Sequence, residues 1–199
     1  MKRSLIRLFQ LLCAFYILYA GIIYIKIYIS ANNSYEIQNQ EFLHFTIYGS
    51  STSEEGNTVS ARFSIIDTKG NSITEIERSW SGNYLAVEFN QAKLDGKYFI
   101  FPSRIFAKDR IIEGDKKRKQ GTQLEKYYED NRECILLGNN STKKNREDLY
   151  IISRFTNKNY YVPTFGFVNT YILDLSNCEA DCFYTISCNN SGKLTLQKM

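Results

Sequence analysis

TVSARFSIID, residues 58–67, decides the fold class. Val59, Ala61, Phe63 and Ile65 alternate with Thr58, Ser60, Arg62 and Ser64. A period of two places one set of side chains on each face, as in an antiparallel strand buried on one side. Asp67-Thr-Lys-Gly-Asn71 then reads as a turn, because these residues tolerate positive φ and hydrogen-bond their own backbone. A second strand is predicted over residues 73–80, and Ser81-Gly-Asn83 reads as a turn into YLAVEF (84–89). The expectation is a three-strand meander over residues 58–89, joined by EFLHFTIY (41–48).

Further strands are predicted at 98–101, 134–137, 149–155, 167–175, 183–187 and 193–197, with Asn189 to Gly192 as a hairpin turn. One short helix is predicted near 122–131, with Thr122 as N-cap and Glu125 completing a capping box. Residues 112–121 and 138–148 read as polar loops. The fold class is therefore all-β: an antiparallel sandwich or partly closed barrel of about 8–10 strands, with an N-terminal transmembrane helix and the helix near 122–131.

The chain has 199 residues, 43% hydrophobic and 15% aromatic, which excludes a disordered polymer. Its net charge of +4 is local. Lys2, Arg3, Arg7 and Lys26 are the only charged side chains before residue 30, and without them 21 basic residues face 21 acidic ones. The neutral remainder gives no support for a nucleic-acid partner. Residues 8–25 are apolar or aromatic except Gln10, and the run resumes after Lys26. About 20 such residues cross a hydrocarbon core of roughly 30 Å. Lys2, Arg3 and Arg7 hold the N-terminus in the cytoplasm by the positive-inside rule.

The organisation read from this is a cytoplasmic stretch 1–7, a signal anchor 8–29 inserted in the lipid bilayer, a polar tether 30–40, and a β domain 41–199 in the periplasm or outside the cell. A signal peptide cleaved after Ala31 is the competing reading. Its apolar region would exceed the usual length, and Ile29 is a poor small residue for the cleavage site.

Four cysteines lie beyond the span: Cys134, Cys178, Cys182 and Cys188. In an oxidising compartment they are candidates for disulfides, with three connectivities open. Cys182 and Cys188 flank one predicted strand, about 20 Å apart if it is straight, so they should not pair with each other. A four-thiolate zinc site lacks the paired C-x2-C spacing, and no metal or other cofactor is predicted. His44 is the single histidine, which leaves little room for histidine-dependent catalysis.

From Arg104 to Lys119, seven basic residues face three acids. Arg104, Lys108, Arg110, Lys116, Lys117, Arg118 and Lys119, with Trp80 as a stacking platform, form the candidate interaction surface for an envelope protein, polysaccharide or anionic headgroups. Such a run is also what a solvated loop looks like, and a lone Trp between strands is more often a core anchor.

An N-terminal anchor, a Ser-rich segment at 49–53 and an exported β domain form an architecture similar to type I signal peptidases. The departures are large: no Met-Pro follows the serines, no Lys-Arg pair lies in a middle strand, and the Gly-Asp-Asn-Arg box is missing. Ser141-x-x-Lys144 fits S-x-x-K but lies in a polar loop. The run ARFSIID, IERSWSGNYLAVEF, GKYFIFPSRI, GTQLEKYYEDN and LDLSNC resembles, over about 58–190, a group of small spirochaete proteins without an assigned activity. The resemblance implies an exported or membrane-associated domain and no functional residue. The expected function is a binding, interaction or envelope accessory module. The alternatives are an envelope hydrolase of serine or cysteine type and a purely structural envelope component.

Overall fold

Alternating burial along residues 58–66 and on the neighbouring strands builds two stacked antiparallel sheets. The computed structural model describes residues 2–34, 40–53, 56–109, 120–138, 140–189 and 191–199. After α1 (Lys2–Asn33) come β1 (Glu41–Ser53), β2 (Gly56–Ile66), β3 (Ser72–Ser81), β4 (Tyr84–Leu94) and β5 (Lys97–Lys108). They are followed by β6 (Thr122–Gln123), α2 (Glu125–Tyr128), β7 (Glu129–Asp130), β8 (Glu133–Cys134), α3 (Lys143–Thr156), β9 (Val168–Asp174), β10 (Phe183–Cys188) and β11 (Leu194–Lys198). One sheet has the order β11-β10-β1-β2-β3 and the other β6-β5-β4-β9, while β7 and β8 form a separate pair. The sheets form an open sandwich, not a closed barrel.

The core lies between the sheets. Phe42, Phe45 and Phe63 from the first sheet meet Leu85, Phe89, Phe99 and Phe101 from the second, all at 0–1% exposure. Phe45 stacks between Phe63 and Tyr184, with ring centroids at 5.1 and 5.3 Å. Each such ring removes a large apolar area from water, and the ring pairs add about 0.5–1.5 kcal/mol beyond that area.

Several expectations from the sequence change. The 58–89 meander is broken: β2 pairs with β3, but β4 pairs with β5 and β9 in the other sheet. Gly82 makes the crossing, at φ +150°, where an added Cβ would lie 2.8 Å from Ala107 Cβ and 2.9 Å from the Lys108 carbonyl oxygen. Only glycine lets the backbones approach that closely.

Residues 149–155 are helix, not strand, and the polar loop predicted at 138–148 contains that helix's first half. Thr142 caps α3 by accepting from the Asn145 N–H at 3.2 Å, and Leu149, Ile152 and Phe155 form its buried stripe. The spacing of three defeats the β-branched content of LYIISRF.

The helix expected over 122–131 shrinks to the four residues of α2, capped at Leu124 with no side-chain bond. Thr122 sits in β6, where its hydroxyl accepts from Trp80 Nε1 and from Arg78, each at 3.0 Å. The strand expected at 134–137 is limited to β8, because a 3-10 turn takes Ile135–Leu137.

The tether expected over 30–40 is helical through Asn33, with Ser30, Ala31 and Ser34 buried, while residues 35–39 lie outside the described part. α1 therefore does not hang from the domain. It packs on α3, which in turn is tied to β8 by the Arg146–Glu133 ion pair at 2.6 Å.

Candidate functional site

The structure separates the residues singled out for an interaction surface. Trp80 is 4% exposed and lies edge-on to Phe63, so it is a core anchor with its N–H satisfied. Lys108 is buried and pairs with Asp174 at 2.7 Å, and Arg104 is half-buried in β5. Arg110, Lys116, Lys117, Arg118 and Lys119 lie outside the described residues.

None of the cysteines forms a disulfide in this structure. Cys134 is fully buried and Cys188 nearly so, its thiol facing the Asn189 carbonyl at 3.1 Å. Burial pushes the Cys134 thiol far up, and burial followed by the Asp174 charge pushes Cys178 up to about 11. Both stay protonated at neutral pH, and a thiol is a poor nucleophile or metal ligand. Among the described residues no group of three or more His, Cys, Asp or Glu is placed to hold a metal. His44 bonds Glu41 at 2.8 Å and packs edge-on to Phe183, while the Ser141 hydroxyl donates to the Gly138 carbonyl.

Two surfaces stand out instead. The first is the outer face of the five-stranded sheet, where Arg62, Glu75 and Glu77 are exposed. A groove of about 350 Å³ crosses it, lined among others by His44, Thr46, Arg62, Ser64, Glu75 and Phe183. These come from four adjacent strands because side chains at every second position share a face, as in the pairs His44 with Ser64 and Ser64 with Glu75. Arg62 and Glu75 form an exposed ion pair, which contributes little stability and leaves both charges near solvent.

The second surface is the seam where α1 meets the domain. Cys13, Tyr16, Ala20, Ile23, Ile27, Ser30 and Ser34 recur at intervals of three and four, which puts them on one side of the helix. Ile23 and Ile27 pack with Ala92, Phe155 and Val168, and Ser30 donates to the buried Asp148 carboxylate at 2.9 Å. Nearer the N-terminus three hydroxyls reach a single loop: Tyr19 donates to the Tyr160 carbonyl at 2.8 Å, Tyr16 to Tyr161 at 3.2 Å, and Tyr24 to Pro163. The other sides of α1 expose Leu8, Phe9, Leu12, Phe15, Ile17, Leu18, Ile22 and Ile25. The 3-4 repeat inside the apolar run was the signal for this seam, masked by the apolar residues around it.

Below α3 lies a closed polar cluster. Ser153 donates to Glu129 at 2.5 Å, with Arg154 at 3.9 Å from the other carboxylate oxygen, and Asn159 bonds Glu125 at 2.9 Å. Burial first, with the Glu125 charge adding, pushes the Glu129 carboxyl up to about 7 against the opposing Ser153 bond and Arg154 charge. Burial likewise raises Glu125. Tyr128, fully buried, donates to the Pro102 carbonyl at 3.0 Å and closes the cluster toward β5.

No protein-family model, no curated protein and no solved structure matches this chain. One N-terminal helix, Leu5–Asn33, is long and apolar enough to cross a membrane.

Proposed function

We propose that the chain is a single-pass membrane protein, N-terminus in the cytoplasm, whose β-sandwich lies in the periplasm or outside the cell and acts as a binding or envelope accessory module. The observation that carries the binding role is the contrast between the two sheets. The outer side of the four-stranded sheet packs on α1 and α3 through Ala92 and Val168, whereas the five-stranded sheet leaves an open groove of mixed polarity. An aromatic edge at Phe183 beside the charges of Arg62 and Glu75 suits an extended polar ligand, a peptide segment or a glycan chain.

Topology and binding are tested separately. Intact cells are treated with a membrane-impermeant thiol reagent, then again after lysis. Labelling of Cys178 or Cys182, both half-buried, in intact cells supports an external domain; labelling only after lysis reverses the topology. A photo-crosslinking side chain at Phe183 then reports on the groove. A discrete adduct that disappears with R62A supports binding there, and equal adducts from Phe183 and the remote exposed Lys126 refute it.

A further inference from the structure

We infer that residues 160–167, in the loop after α3, form a second membrane-contacting element, immersed beside α1 at the depth of Tyr16 to Tyr24. This rests on the reading of α1 as a membrane span. With 1.5 Å of rise per residue, Tyr16 lies about 12 Å and Tyr24 about 24 Å beyond Leu8 along the helix. A span beginning at Leu8, just past the charge of Arg7, has roughly 30 Å of hydrocarbon to cross. Tyr16, Tyr19 and Tyr24 therefore all lie within hydrocarbon depth. So does the loop, because these three hydroxyls bond the carbonyls of Tyr161, Tyr160 and Pro163.

The chemistry of the loop fits that depth. Tyr161 is 88% exposed, Phe165 73% and Phe167 47%. In water such a cluster is costly; beside an apolar helix it continues one hydrophobic surface. Backbone carbonyls in lipid need partners, since each one left bare costs several kcal/mol. The tyrosine hydroxyls of α1 supply them, and Pro163 has no N–H to satisfy.

The backbone gives an independent indication. Lys158, Tyr161 and Phe165 adopt φ of +60°, +55° and +44°. Bulky residues rarely enter this left-handed region, and such strain gathers where a side chain must be held in a set direction. Here it accompanies the two most exposed rings of the loop.

The full-length protein is reconstituted into vesicles with lipids brominated along the acyl chains, which quench tryptophan by contact. Wild type supplies the baseline of Trp80, buried in the sandwich core. F165W adds a ring in the loop, I17W one on the outer side of α1, and K69W one on the distant turn after β2. The proposal expects the added emission of F165W and I17W to be blue-shifted and lost on brominated lipid to a similar degree, with K69W unaffected. Quenching of I17W alone overturns the loop's immersion and leaves the span intact. Absence of quenching at I17W removes the span and the proposal with it.

Discussion

The ammonium group of Lys97, at the start of β5, lies 3.0 Å from the carbonyl oxygen of Ala31 in the last turn of α1. It also reaches the carbonyls of Asn32 and Ser34 at 3.3 and 3.0 Å. The last carbonyls of a helix have no partners within it and carry its negative pole, so a cation held there satisfies both needs. The sandwich thus grips the end of α1 by charge as well as by packing.

Replacing Lys97 with methionine keeps the stem and removes the cap. It should cost about 1–2 kcal/mol, read as a lower midpoint of thermal unfolding in detergent. Amide exchange should accelerate at residues 27–34 more than in β1 and β2. Uniform acceleration across the sandwich would show that the contact is not a local clamp.

Glu129 sets a pH dependence of definite sign. Its folded carboxyl titrates at about 7, above the unfolded value of 4.5. The native state therefore holds an extra proton between those values, and stability falls as pH rises through that window. The Ser153 bond and the Arg154 charge oppose the shift, and Glu125 adds to it. E129Q should flatten the dependence between pH 4.5 and 7 and stabilise the protein at pH 8 by at most about 3 kcal/mol. Denaturant titrations of both proteins at several pH values check this; parallel curves would contradict it.

The crossing at Gly82 should not tolerate a methyl group. G82A meets both an unfavourable φ and atoms of Ala107 and Lys108 closer than 3 Å, a cost of about 3 kcal/mol. G70A has φ +81° with open space around it and should cost only about 1–2 kcal/mol. Denaturant midpoints of the two variants should differ in that order.

Thr122 holds two donors at once, Arg78 and the indole of Trp80. T122V leaves the buried indole N–H without an acceptor and should cost about 1–3 kcal/mol. Trp80 is the sole tryptophan, so its emission maximum should shift toward the blue as the bond is lost, while the folded baseline persists.

The strands were legible where one face is buried and the other wet. TVSARFSII alternates and forms β2, and the turn at Asp67–Asn71 is held as its residues suggest, with Asp67 accepting from the N–H groups of Lys69 and Asn71 at 2.8 Å. Burial would raise that carboxyl, but the bonds from Asn71 and Lys69 outweigh it and hold it below the usual range. Legibility failed where tertiary partners decide. Thr122 has the sequence of a cap, yet Trp80 and Arg78 claim its hydroxyl. Residues 149–155 carry strand-like side chains, yet three buried positions three apart settle them as helix. Ser81-Gly82-Asn83 is short enough for a hairpin, and nothing local says that the chain changes sheets there. The interaction surface expected at the basic run is not brought together among the described residues, because Trp80 and Lys108 are committed inside the fold. The seam of α1 was hidden for the opposite reason: within an apolar run, the side that faces protein resembles the sides left exposed.

The bonds from Tyr16, Tyr19 and Tyr24 to the loop span 139–145 positions of sequence. The helix is made long before that loop, so its three tyrosine hydroxyls wait for their carbonyl partners through the synthesis of most of both sheets. Closing so long a loop is slow and comes late in folding. Docking of α1 and completion of the sandwich are then two ends of one assembly reaction, and a chain cut short before residue 160 would leave α1 without the loop that its three tyrosines bond.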